Sequence, residues 1–375
     1  MNDTTRKKEA PEDLKFYSLN NIKKHNAVYN LIIGERSNGK TYAVLSEILN
    51  DYITHHHQSA YIRRWELDIK ANRGKTVFKP LVKEGYVFKK TKGEWTDIIF
   101  QNSSWYLCRY DEKTDTIVKD VNPFCYAYAL TGTEHDKGSS NPDINTIFFD
   151  ECITRDNYLT DEFVLFMNTI STIVRYRDTV KIYMCGNTIS KYCPYFTEMG
   201  LRHIKDMKPG DIEVYNYGDS RLKVAVEFSD MPNKKGKPSD FYFAFDNPRL
   251  KMITGGGAWE MDIYPHCPIR YENKHIVFNY FIKFEDDILQ CEIVQIDDSI
   301  FTFIHRKTTE LKDVNNDLIF SPEFSIRPNW RRRLTQPHNE MEKKICSFFV
   351  SDKVYYQSNE IGEIVRAYLQ WCKKL

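Results

Sequence analysis

The residues Gly34 to Thr41 read GERSNGKT and carry the clearest chemistry in the chain. They match GxxxxGK[ST] at every fixed position, the pattern of a loop that wraps phosphates. Gly34 and Gly39 let backbone N–H groups curl around an anion, and Glu35, Arg36, Ser37 and Asn38 form the turn between them. Lys40 would neutralise β- and γ-phosphate oxygens, and the Thr41 hydroxyl would face Mg²⁺.

Three further groups fit the same chemistry. Thr146 to Glu151, TIFFDE, is an apolar run ending in two acids: Asp150 would hold Mg²⁺ through water, and Glu151 would position and polarise an attacking water. Val180 to Asn187, VKIYMCGN, brings an amide to the same edge, where Asn187 can sense a γ-phosphate. Arg175 and Arg177, in VRYR, are candidates for stabilising charge on a transferring phosphoryl group, and two arginines capping a helix end is an equal reading of the residues alone.

A phosphate loop needs a strand before it and a helix after it. Val28 to Ile33 is apolar and β-branched, and Thr41 to Tyr52 repeats apolar residues at helical spacing. Further strands are expected at Ala60–Arg63, Phe124–Leu130, Asn145–Phe149 and Val180–Cys185, with a helix from Asp161 to Ile173 and a mixed region up to about residue 120. This alternation predicts an α/β fold: an ASCE-type P-loop NTPase with a mostly parallel sheet and flanking helices. At 375 residues the chain exceeds one core, so two domains are expected. The boundaries fall at 1–205 for the ATPase domain, 206–257 for a connecting subdomain holding NKKGKPS (Asn233–Ser239) and Gly255–Gly257, and 258–375 for a smaller α+β domain. In that last part Ile276–Phe284, Ile288–Ile296 and Ser299–His305 read as a meander, followed by helices at Asn339–Phe349 and Asn359–Lys373.

The net charge of +1 gives no global attraction to polyanions, so any nucleic acid must be held by a local patch. The nine cysteines show no CxxC pair, which points to free thiols in a reducing cytoplasm. Neither an export signal nor a membrane span is expected. His55 to His57 reads as a loop after the first helix and not as a metal site.

With these residues in order, the chain resembles the genome-packaging ATPases of the small Picovirinae phages. The resemblance rests on GERSNGKTYA, YIRRW at Tyr61–Trp65, TIFFDE, VRYR, Gly186–Asn187 and PYF at Pro194–Phe196, covers most of residues 28 to 200 and fades beyond. It implies a homo-oligomeric ring of five subunits on the portal protein of an empty capsid, in the host cytoplasm and absent from the mature virion. Such a ring uses ATP to drive double-stranded DNA inward, with a structural packaging RNA as a further partner and no membrane. Glu151 would be the catalytic carboxylate, and Arg175 would act across the subunit boundary. The last domain would resemble the RNase H-like nuclease of large terminases in vestigial form. No cleavage is expected, because Ile276–Phe284 lacks a carboxylate and the acids of Glu285–Asp287 and Asp297–Asp298 fall in turns.

Arg63, Arg64, Lys70, Arg73 and Lys75 form one candidate group for DNA contact, and Lys137, before TIFFDE, is another. Arg327 and Arg331–Arg333 make a basic patch suited to the portal or to RNA. A solvated face is the plain alternative for each group. Two rival functions share the hydrolytic residues: a ring helicase or other DNA-remodelling ATPase, and a nucleotide-gated binding protein that barely hydrolyses.

Overall fold

Every residue of β1 (Tyr29–Gly34) is buried, as expected of a strand with neighbours on both sides and layers on both faces. In this computed structural model, residues 17–35, 38–132, 141–154, 158–187, 190, 192–230 and 264–373 are described. Arg36, Ser37, Lys137, NKKGKPS and Gly255–Gly257 lie outside the described residues. The chain divides into two units, residues 1–242 and 243–375.

The first unit is built on one ten-stranded sheet. Its other strands are β2 (Gln58–Arg63), β3 (Asp97–Gln101), β4 (Ser104–Asp111), β5 (Thr116–Lys119), β6 (Cys125–Ala129), β7 (Ile144–Asp150), β8 (Lys181–Asn187), β9 (Ile212–Asn216) and β10 (Lys223–Phe228). The order is β3-β4-β6-β2-β7-β8-β1-β10-β9, with β5 paired to β4. The run from β6 to β10 is parallel, and antiparallel strands close both ends. One strand, β8, therefore separates the strand of the phosphate loop from the strand of the two acids, as an ASCE-type fold requires.

The helices are α1 (Asn20–Lys23), α2 (Lys40–His55), α3 (Ala71–Thr76), α4 (Lys79–Lys83), α5 (Tyr86–Lys90), α6 (Glu162–Val174) and α7 (Pro194–Glu198). Helix α2 starts at Gly39, whose φ of 91° is easy only for glycine. Its stripe Val44, Leu45, Ile48, Leu49 and Tyr52 packs into a core with Ile32, Tyr61, Trp105, Phe124 and Phe148. Each such fully buried aliphatic side chain contributes roughly 1.5–3 kcal/mol.

Two expectations change here. The mixed region before residue 120 contains α3 to α5 and the antiparallel strands β3 to β5. The segment expected to begin a connecting subdomain at 206 supplies β9 and β10 to the first sheet, because Val224–Phe228 is an apolar strand that pairs with β1.

The second unit contains β11 (Ile276–Phe284), β12 (Asp287–Ile296), β13 (Ser299–Arg306), β14 (Leu318–Phe320), β15 (Trp330–Arg331) and β16 (Val354–Tyr356), with α8 (Glu340–Val350) and α9 (Asn359–Lys373). The sheet order is β15-β14-β11-β12-β13-β16. The meander β11-β12-β13 is antiparallel, while β14 and β16 run parallel to its outer strands. Helix α8 is capped by Asn339, whose side chain accepts from the Glu342 N–H at 2.9 Å. Helix α9 buries Ile361, Ile364, Val365 and Tyr368.

Its acids are not all in turns. Asp287 opens β12, and Glu292 sits inside it, accepting bonds from Tyr271 at 2.6 Å and Gln290 at 2.9 Å and meeting His305 at 3.3 Å. Nor is RPNWRRR a fully open cationic face. Arg331 bonds the buried Glu342 at 2.7 Å, and the Arg332 guanidinium stacks 3.8 Å from the centre of the Phe324 ring. These contacts occupy charges that the sequence assigns to an outside partner.

Candidate active site

β1, β8 and β7 end at one edge of the sheet, and register decides what meets there. Gly34 pairs with Asn187, and Asp150 pairs with Cys185. The resulting cleft of about 530 Å³ is lined by Asn38, Gly39, Lys40, Thr41, Asp150, Glu151 and Asn187, among others.

A Cβ on Gly34 would lie 2.1 Å from the Ser229 Oγ, so glycine alone lets the loop leave β1. Ser229, just after β10, donates to the Ile33 carbonyl at 2.9 Å and accepts from the Asn38 amide at 2.6 Å. This residue pins the loop's base. Local sequence gave no signal for it, since it stands 191 positions from Asn38.

Lys40 begins α2 and is buried. Its Nζ donates to the Glu35 carbonyl at 2.6 Å, to the Gly34 carbonyl at 3.1 Å and to Asn38 Oδ1 at 3.1 Å, and lies 3.5 Å from Asn187 Oδ1. Burial pulls the Lys40 ammonium down to about 8. An ammonium held by neutral carbonyls in a dry pocket gains by meeting an anion.

Thr41 Oγ1 donates to Asp150 Oδ1 at 3.1 Å, and the Tyr61 hydroxyl donates to Asp150 Oδ2 at 3.1 Å. Burial raises the Asp150 carboxyl above its ordinary value, against the opposing pull of Arg63. Glu151 takes a φ of 56°, in the left-handed region where a glutamate pays roughly 1–2 kcal/mol. Its exposed carboxylate meets Arg63 Nη2 at 2.6 Å, while Arg63 Nη1 lies 3.7 Å from Asp150 Oδ2.

Arg63 and Arg64 are thus not a DNA-facing pair. Arg63 faces the two acids, and Arg64 is buried in a bidentate bond to Glu162, at 2.8 and 2.9 Å. Glu162 also accepts from the Tyr195 hydroxyl at 2.7 Å and from the Leu159 N–H at 2.8 Å. Arg64 donates onward to the carbonyls of Glu151 and Cys152, at 3.2 and 2.8 Å. A buried charge needs such a partner set, and this one joins β2, the end of β7, α6 and α7. The remaining members of the group, Lys70, Arg73 and Lys75, are exposed around α3; Lys70 pairs with Glu66 and Arg73 with Asp68, each at 2.7 Å.

The arginines of VRYR separate in the same way. Arg177 donates to the carbonyls of Pro142 and Ile173, at 2.6 and 2.7 Å, and to those of Ile144 and Val174. Burial lowers its guanidinium below the ordinary value. Arg175 is exposed and ends α6 with a φ of 51°. Because Arg177 binds the carbonyls that start β7, this helix end lies at the edge opposite Asp150.

Residues 109–236 match the family model for Podovirus DNA encapsidation protein (Gp16). The chain is 27% identical over 180 residues to the DNA packaging protein of Bacillus phage B103, covering 47% of this chain and 49% of that protein. The chain thus spans about half the length of the curated relatives it matches. By structure it is similar to the Phi-28 gp11 DNA packaging motor, with a TM-score of 0.53 and 20% identity, covering 96% of this chain and 99% of that one. It is also similar to the chain of the bacteriophage Phi-29 genome packaging motor assembly, with a TM-score of 0.55 and 17% identity, covering 94% and 99%. The protein therefore has the fold of phage DNA packaging motors and is similar in sequence, over half its length, to their DNA packaging proteins.

Proposed function

We propose that the protein is an ATPase that drives double-stranded viral DNA into a preformed capsid. The observation that carries hydrolysis is the meeting of Lys40, Thr41, Asp150 and Glu151 in one cleft, from strands that β8 holds apart. Sequence similarity to phage DNA packaging proteins supports the part played by DNA.

The donor set fits Mg²⁺, since a hydroxyl and a carboxylate 3.1 Å apart supply hard oxygens and leave positions for water and phosphate. Thr41 and Asp150 would hold the ion, which when bound neutralises charge on the β- and γ-phosphates. Lys40 exchanges its loop carbonyls for phosphate oxygens as ATP enters. Glu151, aimed into the cleft by its backbone, orients the attacking water and takes its proton, and Arg63 fixes its carboxylate. Asn187 senses the γ-phosphate beside Lys40.

Arg175 ends its helix at the far edge from its own cleft, so a part in hydrolysis would have to be played at a neighbouring subunit's nucleotide. That supports a closed ring, for which the resemblance gives five subunits, the portal as docking site and a packaging RNA as further partner. Exposed Lys70, Arg73 and Lys75, with Lys137, are the remaining candidates for DNA phosphates. In the second unit the order 6-3-2-1-4-5, counted from β11, holds the run 3-2-1-4-5 with β16 added beside β13, and that run supports a fold derived from an RNase H-like nuclease without its acidic centre.

The test is ATP hydrolysis with and without double-stranded DNA by wild type, Glu151→Ala, Arg175→Ala and an equal mixture of the two variants. We expect DNA to stimulate the wild type, each variant to be inactive, and the mixture to regain partial activity from sites with an intact glutamate and a neighbour's intact arginine. Full activity in Arg175→Ala would remove the shared site. Strand unwinding would favour the helicase, and near-zero hydrolysis with DNA present would favour a nucleotide-gated binder.

A further inference from the structure

The histidines at the end of α2 do not form a plain loop. His55 is the last residue of α2, and His56 caps it with a left-handed φ of 59°, donating its N–H to the Tyr52 carbonyl at 2.8 Å. That reversal turns His57 back over the helix. The Nδ1 atoms of His55 and His57 lie 3.0 and 3.2 Å from the same oxygen, Asp51 Oδ1. Their rings stack with centres 5.4 Å apart, and one ligand atom from each of the three residues lies within 4.8 Å of the others.

We propose that Asp51, His55 and His57 form a site for one borderline divalent cation of the Zn²⁺ class, which clips the end of α2 to the turn into β2. The geometry carries this. A tetrahedral ion with bonds of about 2.0–2.1 Å separates its ligand atoms by about 3.4 Å, and the two measured separations fall a few tenths short of that. Two imidazoles and a carboxylate suit Zn²⁺, Co²⁺ or Ni²⁺ better than Mg²⁺ or Ca²⁺, which take oxygen. The imidazoles are about half exposed, with side chains 58% and 42% accessible against 19% for Asp51, so a fourth corner stays open to water. Two lysines that line the same cleft as Asp51 and His57 are engaged: Lys23 pairs with Glu47, and Lys181 donates to Asn26 at 2.7 Å. The site lies at the opposite end of α2 from Lys40 and is separate from the Mg²⁺ position at Thr41.

The test uses the full chain, stripped with chelator and free of nucleotide, titrated with Zn²⁺ by calorimetry and with Co²⁺ by visible absorption. We expect one strong Zn²⁺ site, a rise in Tm on adding Zn²⁺, and Co²⁺ bands without sulfur charge transfer. His57→Asn and Asp51→Asn should each weaken this binding at least tenfold and abolish the rise in Tm. Their metal-free Tm and ATP binding, compared with wild type, confirm that they fold. Sulfur charge transfer, equal Zn²⁺ affinity in folded variants and wild type, or no saturable binding in wild type would each overturn the proposal.

Discussion

Two arginines two positions apart in VRYR have opposite fates, and the difference is measurable. Arg177 satisfies carbonyls at the end of α6 and the start of β7, so Arg177→Ala should cost about 1.5–3 kcal/mol of stability. Arg175, exposed at the helix end, should cost much less stability and far more hydrolysis when changed to Ala. Urea unfolding and steady-state ATPase rates on both variants check this, and a larger stability loss in Arg175→Ala would reverse the assignment. The same logic applies to Arg63 and Arg64. Both look like DNA ligands in a string of basic residues, yet their neighbours Glu151 and Glu162 are remote in sequence, and for Arg64 burial demands the carboxylate.

At the scale of elements, the bond from Arg64 to Glu162 ties three motifs together: YIRR, the backbone after TIFFDE, and PYF through Tyr195. Removing one side of a buried pair leaves an uncompensated charge, so Glu162→Ala should destabilise the first unit by about 3–5 kcal/mol. Tyr195→Phe, which removes one donor to that carboxylate and leaves the Arg64 pair in place, should cost less, about 1.5–3 kcal/mol. Thermal unfolding of the full chain decides between them; similar losses would show the carboxylate to be solvated. In the second unit, His305 is raised by its bond to Glu292. Burial pushes Glu292 up, but bonds from His305, Tyr271 and Gln290 outweigh it and hold it down. The histidine's contribution is complete below its ordinary 6.5 and fades as pH rises through its higher folded value, while the glutamate's is complete above its ordinary 4.5 and fades on acidification. β12 and β13 should therefore be most stable between those ordinary values and lose stability as pH rises from 6.5 through the histidine's folded value. Hydrogen exchange of their amides, corrected for chemical rate, should show this loss in wild type and not in His305→Gln.

For the whole molecule, a net charge of +1 means that the DNA binding proposed above would have to come from local patches. Lys70, Arg73 and Lys75 are exposed, so changing all three to Ala should weaken DNA binding evenly across sequences and flatten its dependence on salt, with folding intact. An unchanged salt slope would remove this face from the DNA path.

What the sequence determined by itself is whatever is continuous along the chain. The strand β1, the strand β7 that ends at Asp150, the helical stripe of α2 and the meander from β11 to β13 were all legible, because burial imposes an apolar run or a period on neighbouring residues. The short strands of the region before residue 120 and the reach of the first sheet to β10 were not, since their pairing depends on partners far away. Tertiary structure alone decided that β8 lies between β1 and β7, that Ser229 holds the Asn38 amide, and that Arg64 turns inward. In each case the deciding quantity is desolvation or register, and neither exists until the layers are assembled.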